Sequence, residues 1–108
     1  MTRESDLEFV KRAGRRLRTE HLEVRAKDSL LSYSRAAVIV AKHGHTVVER
    51  NYLRRQLREL TRMRILPEIS GIDLVIYSFS NAYGASLDEL MAEVDSMRSW
   101  LKDFSGIE

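Results

Sequence analysis

Three Ser/Thr-x-x-Glu boxes partition this 108-residue chain: Ser5 with Glu8, Thr46 with Glu49, and Ser86 with Glu89. In such a box the hydroxyl accepts from the backbone N–H three residues on, and the carboxylate accepts from the N–H of the cap residue. Two of the four orphan donors at a helix start are thereby satisfied, so each box marks a place where a helix begins. The first is followed by Leu7, Val10 and Leu17, with Val24 if the helix extends that far. The second opens a helix that runs to about Arg64 and stops ahead of Pro67, because the residue before a proline is pushed out of helical geometry. The third opens a helix whose apolar stripe is Leu87, Leu90, Val94, Met97, Leu101 and Phe104.

Two segments lack a box. Asp28 is a cap candidate ahead of residues 29–42, where Leu30, Leu31, Tyr33 and the run Ala36 to Ala41 leave only Arg35 and Lys42 charged. This segment is expected to be the most buried helix, ended by His43-Gly44-His45 with the glycine in the left-handed conformation. Residues 72–79 read two ways. Their β-branched content suits a strand, while Ile72, Val75, Ile76, Phe79 and Tyr83 fall at helical spacing with Gly84 as a stop. The lack of any second strand to pair with favours helix. The expectation is therefore all-α: a bundle of about five helices in a single domain over 1–108. Five such helices carry more apolar stripe than one copy covers, so a homodimer is expected, with Trp100 and Met97 at its interface.

Charge is laid out unevenly. Residues 1–67 hold sixteen of the eighteen Lys and Arg but only eight of the sixteen acids, so a net charge of +2 conceals a basic front and an acidic tail over 68–108. That asymmetry points to a polyanionic partner or to self-complementary association. The absence of cysteine excludes disulfides, thiolate metal sites and thiol nucleophiles. No apolar run reaches the ~18 residues of a membrane span, and the start of the chain is polar rather than signal-like. A cytoplasmic protein is the expectation.

The helix after Thr46 is the most specific feature. At 100° per residue, Arg50, Arg54, Arg58, Arg62 and Arg55 share an arc of about 140°, with Asn51 and Thr61 among them and Glu59 at the border. Tyr52, Leu53, Leu57, Leu60 and Met63 take the opposite arc. The charge is all arginine, whose planar donor fork matches phosphate or carboxylate bidentately. Lys11, Arg12, Arg15, Arg16 and Arg18 repeat the theme in the first helix. Against this stands charge pairing: Asp88, Glu89, Glu93 and Asp95 of the tail could answer the arginines within the chain or across a dimer. His43 and His45, with Glu49, have the residue types of a metal site but no further ligand, so they read as a helix connection. No cofactor or metal is expected.

Two short likenesses accompany these readings. Arg16 and His21, in Arg-x-x-x-x-His spacing, resemble the catalytic pair of HEPN-type ribonucleases, over two residues only and with Leu17 where that family carries a polar residue. Lys11-Arg12-Ala13-Gly14, Ala41-Lys42-His43-Gly44 and Thr46-Val47 resemble the helix joints of archaeal histone folds, which implies a grip on duplex phosphates. No glycine-rich phosphate loop, Ser/His/Asp order or facing carboxylate pair is present, so no enzyme is expected. The reading is a non-catalytic regulator that binds nucleic acid, duplex DNA first, through Arg50, Arg54, Arg55, Arg58 and Arg62, supported by Arg12, Arg15 and Arg16. The alternative is a protein-interaction module (adaptor, chaperone or inhibitor) docking an acidic partner.

Overall fold

The chain does not form the expected all-helical bundle. A computed structural model describes residues 15–29 and 32–106, and over these the fold is α+β. Strands β1 (Arg15–Arg18), β2 (Leu22–Asp28) and β3 (Arg35–Ile39) come first. Helix α1 (Val47–Leu60), strand β4 (Ile72–Ser78) and helix α2 (Leu87–Gly106) follow. The four strands form one sheet in the order β1-β2-β4-β3. β1 with β2 and β2 with β4 are antiparallel, whereas β3 and β4 are parallel and joined through α1.

The strand forming β2 is written in a period of two. Leu22, Val24 and Ala26 are fully buried against the helices, and Glu23, Arg25 and Lys27 alternate with them on the opposite face. β4 follows suit, with Ile72, Leu74 and Ile76 opposite Asp28, Ala26 and Val24 in turn across the ladder. Residues 72–79 were therefore short of a partner only while β2 and β3 were read as helix. In residues 29–42 the run Val38-Ile39-Val40 is β-branched, which favours the pleated state, and Arg35–Ile39 forms the edge strand. The part of the expected first helix from residue 15 onward is β1 and β2; its start at Ser5, and Arg12, lie outside the described residues.

The two helices after Thr46 and Ser86 do begin at their boxes. Thr46 Oγ1 accepts from Glu49 N–H (3.1 Å) while Glu49 accepts from Thr46 N–H (2.9 Å), and Ser86 and Glu89 repeat the pattern at 3.1 and 2.8 Å. Leu53, Leu57 and Leu60 of α1 and Leu90, Val94, Met97 and Leu101 of α2 close the core over one face of the sheet. α1 widens into a π-helical turn over Thr61–Ile65. The buried Thr61 hydroxyl donates to the carbonyl of Leu57 (2.7 Å), competing for an acceptor of the ordinary ladder. That turn delivers Ile65 into the core, and a 3-10 turn over Leu66–Glu68, with Pro67 inside it, closes the run at Ile69.

Candidate nucleic-acid interface

The orientation of α1 is set at its first turn. His45 stacks on Tyr83 with ring centroids 3.6 Å apart, and its Nε2 lies 2.9 Å from Ser80 Oγ. Tyr83 donates its hydroxyl to the carbonyl of Ala41 (2.6 Å), and its burial pushes the phenol pKa up, against the pull of Arg50 and Arg54 nearby. The histidine that the sequence offered as a metal-ligand type thus anchors the loop after β3 to the short helix over Ser80–Gly84. Gly44, at φ 81°, supplies the left-handed turn between β3 and that anchor.

From this anchor α1 presents its arginines outward. Arg55, Arg58 and Arg62 are exposed, and Arg50 and Arg54 are half-buried at the flank. Arg54 donates to Asn51 Oδ1 (2.8 Å), and Arg62 pairs with Glu59 (2.6 Å), which holds the Glu59 carboxyl below its usual range. Among the described residues Arg55 and Arg58 have no ion pair. The acidic tail is engaged elsewhere: Asp95 pairs with Arg64 (2.9 Å), Glu68 with Lys102 (3.3 Å), and Glu93 with His21. A tail folded over the arginine face is not what the structure shows.

Beside the arginines runs a groove of about 550 Å³ between α1 and the edge strand β3. Ala36, Val38 and Leu66 contribute apolar lining, and Arg54, Arg55, Arg58 and Arg62 line it from the helix side. Tyr52 and Met63, expected on the apolar arc, are instead 63 % and 64 % exposed, because the covered stripe of α1 is only as wide as Leu53, Leu57 and Leu60.

The second expected basic cluster is placed differently. Arg15 and Arg16 lie on β1, at the far edge of the sheet from β3, three strand steps or about 14 Å away. They do not neighbour the α1 face. Arg16 and Arg18 instead share the outer sheet face with Arg25, Lys27, Arg35 and Tyr77. There Arg25 pairs with Glu23 (2.6 Å) and lies 4.9 Å from the Tyr77 ring centroid. Arg35 holds Asp73 with two bonds of 2.9 and 2.7 Å, and Arg18 stands 4.4 Å over the Phe79 ring. Arg25 is not among the binding candidates of the sequence, although the alternation Glu23-Val24-Arg25-Ala26-Lys27 places its charges on one face of a strand.

His21 is buried, 7 % exposed, in the turn between β1 and β2. Its Nδ1 lies 2.5 Å from Glu93 Oε2, and Glu93 Oε1 accepts from His21 N–H (2.8 Å) and from the Thr19 hydroxyl (2.5 Å). The Glu93 hydrogen bond raises the His21 pKa, against the effect of burial. Burial works to raise the Glu93 pKa, but the bonds from His21 and Thr19 outweigh it and hold the carboxyl low. His21 is a structural clasp between this turn and α2, and does not form a catalytic pair with Arg16. Met97 is fully buried in the chain's own core, and Trp100, half-buried, packs against that core.

A sheet holding two helices on one face, with an arginine helix bordering a groove at its edge, defines a small α+β protein with one strongly cationic helix face. Comparison with known proteins narrows the class. The family profile for Ribonuclease P matches residues 1–102, and the chain belongs to that family. The ribonuclease P protein component of Syntrophobacter fumaroxidans is 38 % identical over 58 residues, which cover 54 % of this chain and 49 % of that protein. The chain thus spans about half the length of that relative. The fold matches a Staphylococcus aureus RNase P protein mutant with defective mRNA degradation activity at a TM-score of 0.84 and 16 % identity. That match covers 94 % of this chain and 86 % of the other. It also matches the Thermotoga maritima RNase P protein, solved in complex with 1-(4-fluorophenyl)-2-thiourea, at a TM-score of 0.76 and 21 % identity. Here 94 % of this chain and 96 % of the other are covered.

The family overturns two expectations, and the strands overturn the short likenesses. A non-enzymatic regulator gives way to a chain tied to a ribonuclease, and duplex DNA gives way to RNA as the polyanion that such an enzyme handles. The likenesses to HEPN ribonucleases and histone folds fall with the helices they required, since residues 15–18 and 22–28 are strands. Among the described residues no helix is long and apolar enough to cross a membrane.

Proposed function

We propose that this chain is the protein component of a ribonuclease P, an RNA-containing complex that cleaves tRNA precursors, and that it holds RNA through the arginine face of α1. The observation that carries the reading is that Arg55 and Arg58 stand exposed and without an acidic partner among the described residues. An unanswered guanidinium keeps its donor fork free for phosphate oxygens, and each phosphate it neutralises releases counterions from the RNA. Arg54, steered by Asn51, and the half-buried Arg50 extend the row along the helix, and Arg62 joins it by exchanging Glu59 for phosphate.

The chemistry of cleavage is not assigned to any side chain of this protein. Its described residues hold no group placed as an acid–base pair: His21 is committed to Glu93, and His45 to Tyr83 and Ser80. The part proposed for the chain is to bind and position RNA. Arg16 and Arg18, on the outer face of β1, supply a second, separate contact for a longer RNA.

The test is fluorescence anisotropy with a structured RNA across a salt series, using the unaltered chain and the double variant Arg54→Glu/Arg58→Glu. Affinity that falls log-linearly with salt and drops by about a hundredfold in the variant supports the reading. RNA binding that is indifferent to the two reversals, in a variant with an unchanged circular dichroism spectrum, refutes it.

A further inference from the structure

Beyond its arginines, α1 carries a second exposed flank, and this one is apolar. At 100° per residue Val48, Tyr52 and Gln56 lie between the arginine arc and the buried stripe of Leu53, Leu57 and Leu60. Val48 is 77 % exposed and Tyr52 63 %, and Leu87, at the start of α2, is 49 % exposed. Apolar side chains exposed singly call for no account, but Tyr52 and Leu87 border one depression. The groove between them holds about 380 Å³, inside the range of ligand sites, and buried Leu53 and Ala82 line it together with Tyr83. Gln56 donates to the Tyr52 hydroxyl (3.3 Å), which ties that ring to the next turn of the helix.

The charge along this flank is the reverse of that on the arginine arc. Among the described residues that line the groove, Glu49 alone is charged. Its Oε1 accepts from Thr46 N–H at 2.9 Å, while its Oε2 accepts no bond among the described residues. Asp88, exposed beside Leu87, has no ion pair among the described residues.

We infer that this groove docks a protein segment that is both apolar and basic. A Lys or Arg side chain of the partner lays its stem against Leu53 and Leu87 and brings its charged head to the Tyr52 ring and Glu49. The inference does not depend on RNA binding, since it concerns the other flank of the helix. Charge selects the occupant. RNA phosphates meet Glu49 and Asp88 here and no lining cation, and an acidic peptide is repelled in the same way. A second copy seated by a twofold axis would present this same patch and crowd the carboxylates of both copies together. A basic segment gains from those carboxylates and covers the apolar side chains as well. With the arginines on one flank and the groove on the other, α1 can hold RNA and a protein partner at once.

The probe is a synthetic Leu/Lys amphipathic helical peptide, with a Leu/Glu peptide of the same pattern as its control. Each is titrated into the isotopically labelled full chain and followed by amide NMR. The Leu/Lys peptide is expected to bind at least about tenfold more tightly than its control, with shifts confined to residues 48–56 and 82–88. Tyr52→Ser/Leu87→Ser is expected to weaken that binding about tenfold and to leave binding of a paired RNA as it was. Glu49→Gln keeps an acceptor for the Thr46 cap and is expected to make peptide binding less sensitive to salt. If the double variant does not fold, the shift map on the unaltered chain decides alone. Equal binding of the two peptides, or shifts centred on the arginine arc, overturns the inference. So does unaltered peptide affinity in a folded double variant, or RNA binding lost together with peptide binding. Self-association of the unaltered chain that the double variant abolishes, seen by sedimentation, gives the groove to a second copy and overturns the assigned occupant.

Discussion

Glu93→Ala is the substitution with the largest effect derivable from single atoms. It deletes the acceptor of three bonds at once, from the Thr19 hydroxyl, the His21 N–H and the His21 ring. The side chains of His21 and Glu93 are 9 % and 13 % exposed, so water does not replace those bonds easily. Removing one partner of such a pair leaves the other buried and uncompensated, which costs about 3–5 kcal/mol. The partial exposure of Glu93 places the expected loss at the lower end, about 3 kcal/mol. For a domain of this size each kcal/mol lowers Tm by roughly 4–8 °C. A fall of more than 10 °C by circular dichroism is therefore expected at pH 6.

The pH dependence has a defined sign. The raised His21 pKa means that its contribution is complete below the ordinary imidazole value of 6.5 and is lost as pH rises through the folded value. The lowered Glu93 pKa means that its contribution is complete above 4.5 and is lost as pH falls through the folded value. The stability difference between the unaltered chain and Glu93→Ala is thus greatest in the mildly acidic window and shrinks on both sides. A variant less than 1 kcal/mol weaker at pH 6, or a difference that grows toward pH 9, would refute the reasoning.

Arg55→Gln/Arg58→Gln removes two unanswered cations, so the slope of log affinity against log salt for a paired RNA should flatten by about 2, and an unchanged slope would mean that these side chains meet no phosphate. Leu57→Ala, at a fully buried core position, should cost about 2–5 kcal/mol in urea unfolding, with the midpoint moving and the m-value unchanged. Thr46→Ala breaks the box that opens α1 and should cost about 1 kcal/mol in the same assay; a neutral result would show that the His45–Tyr83 stack alone fixes the helix start.

The helix starts were legible because their signals are local. Thr46 with Glu49 and Ser86 with Glu89 act within four residues, and both helices begin where those boxes stand. Strands are settled by partners far along the chain. Val24 fits a helical stripe with Leu17 as readily as a strand, and only its position opposite Ile76 decides the matter. The alternation from Leu22 to Lys27 was nevertheless present in the sequence, and reading it would have supplied the strand that 72–79 lacked. Residues 29–42 misled through composition: a mostly apolar run suits a buried helix or a short strand equally, and its β-branched centre was the cue to the latter. The arginine arc of α1 was visible because it depends on helical spacing alone. The groove beside it was not, since Ala36 and Val38 meet the helix only through the β3–α1–β4 crossover.

The central claim is that the α1 arginines serve a ribonuclease P. The direct measurement is cleavage of a tRNA precursor by the ribonuclease P RNA subunit at near-physiological salt, with this chain added as it is or as Arg54→Glu/Arg58→Glu. Two lost charge-assisted contacts at about 1.5 kcal/mol each amount to more than a hundredfold in affinity. The account expects the unaltered chain to support cleavage and the reversed chain to need at least a hundredfold higher concentration to do so. Cleavage supported equally by both would contradict the assignment of the arginine face. Failure of the unaltered chain to support any cleavage would contradict the function itself.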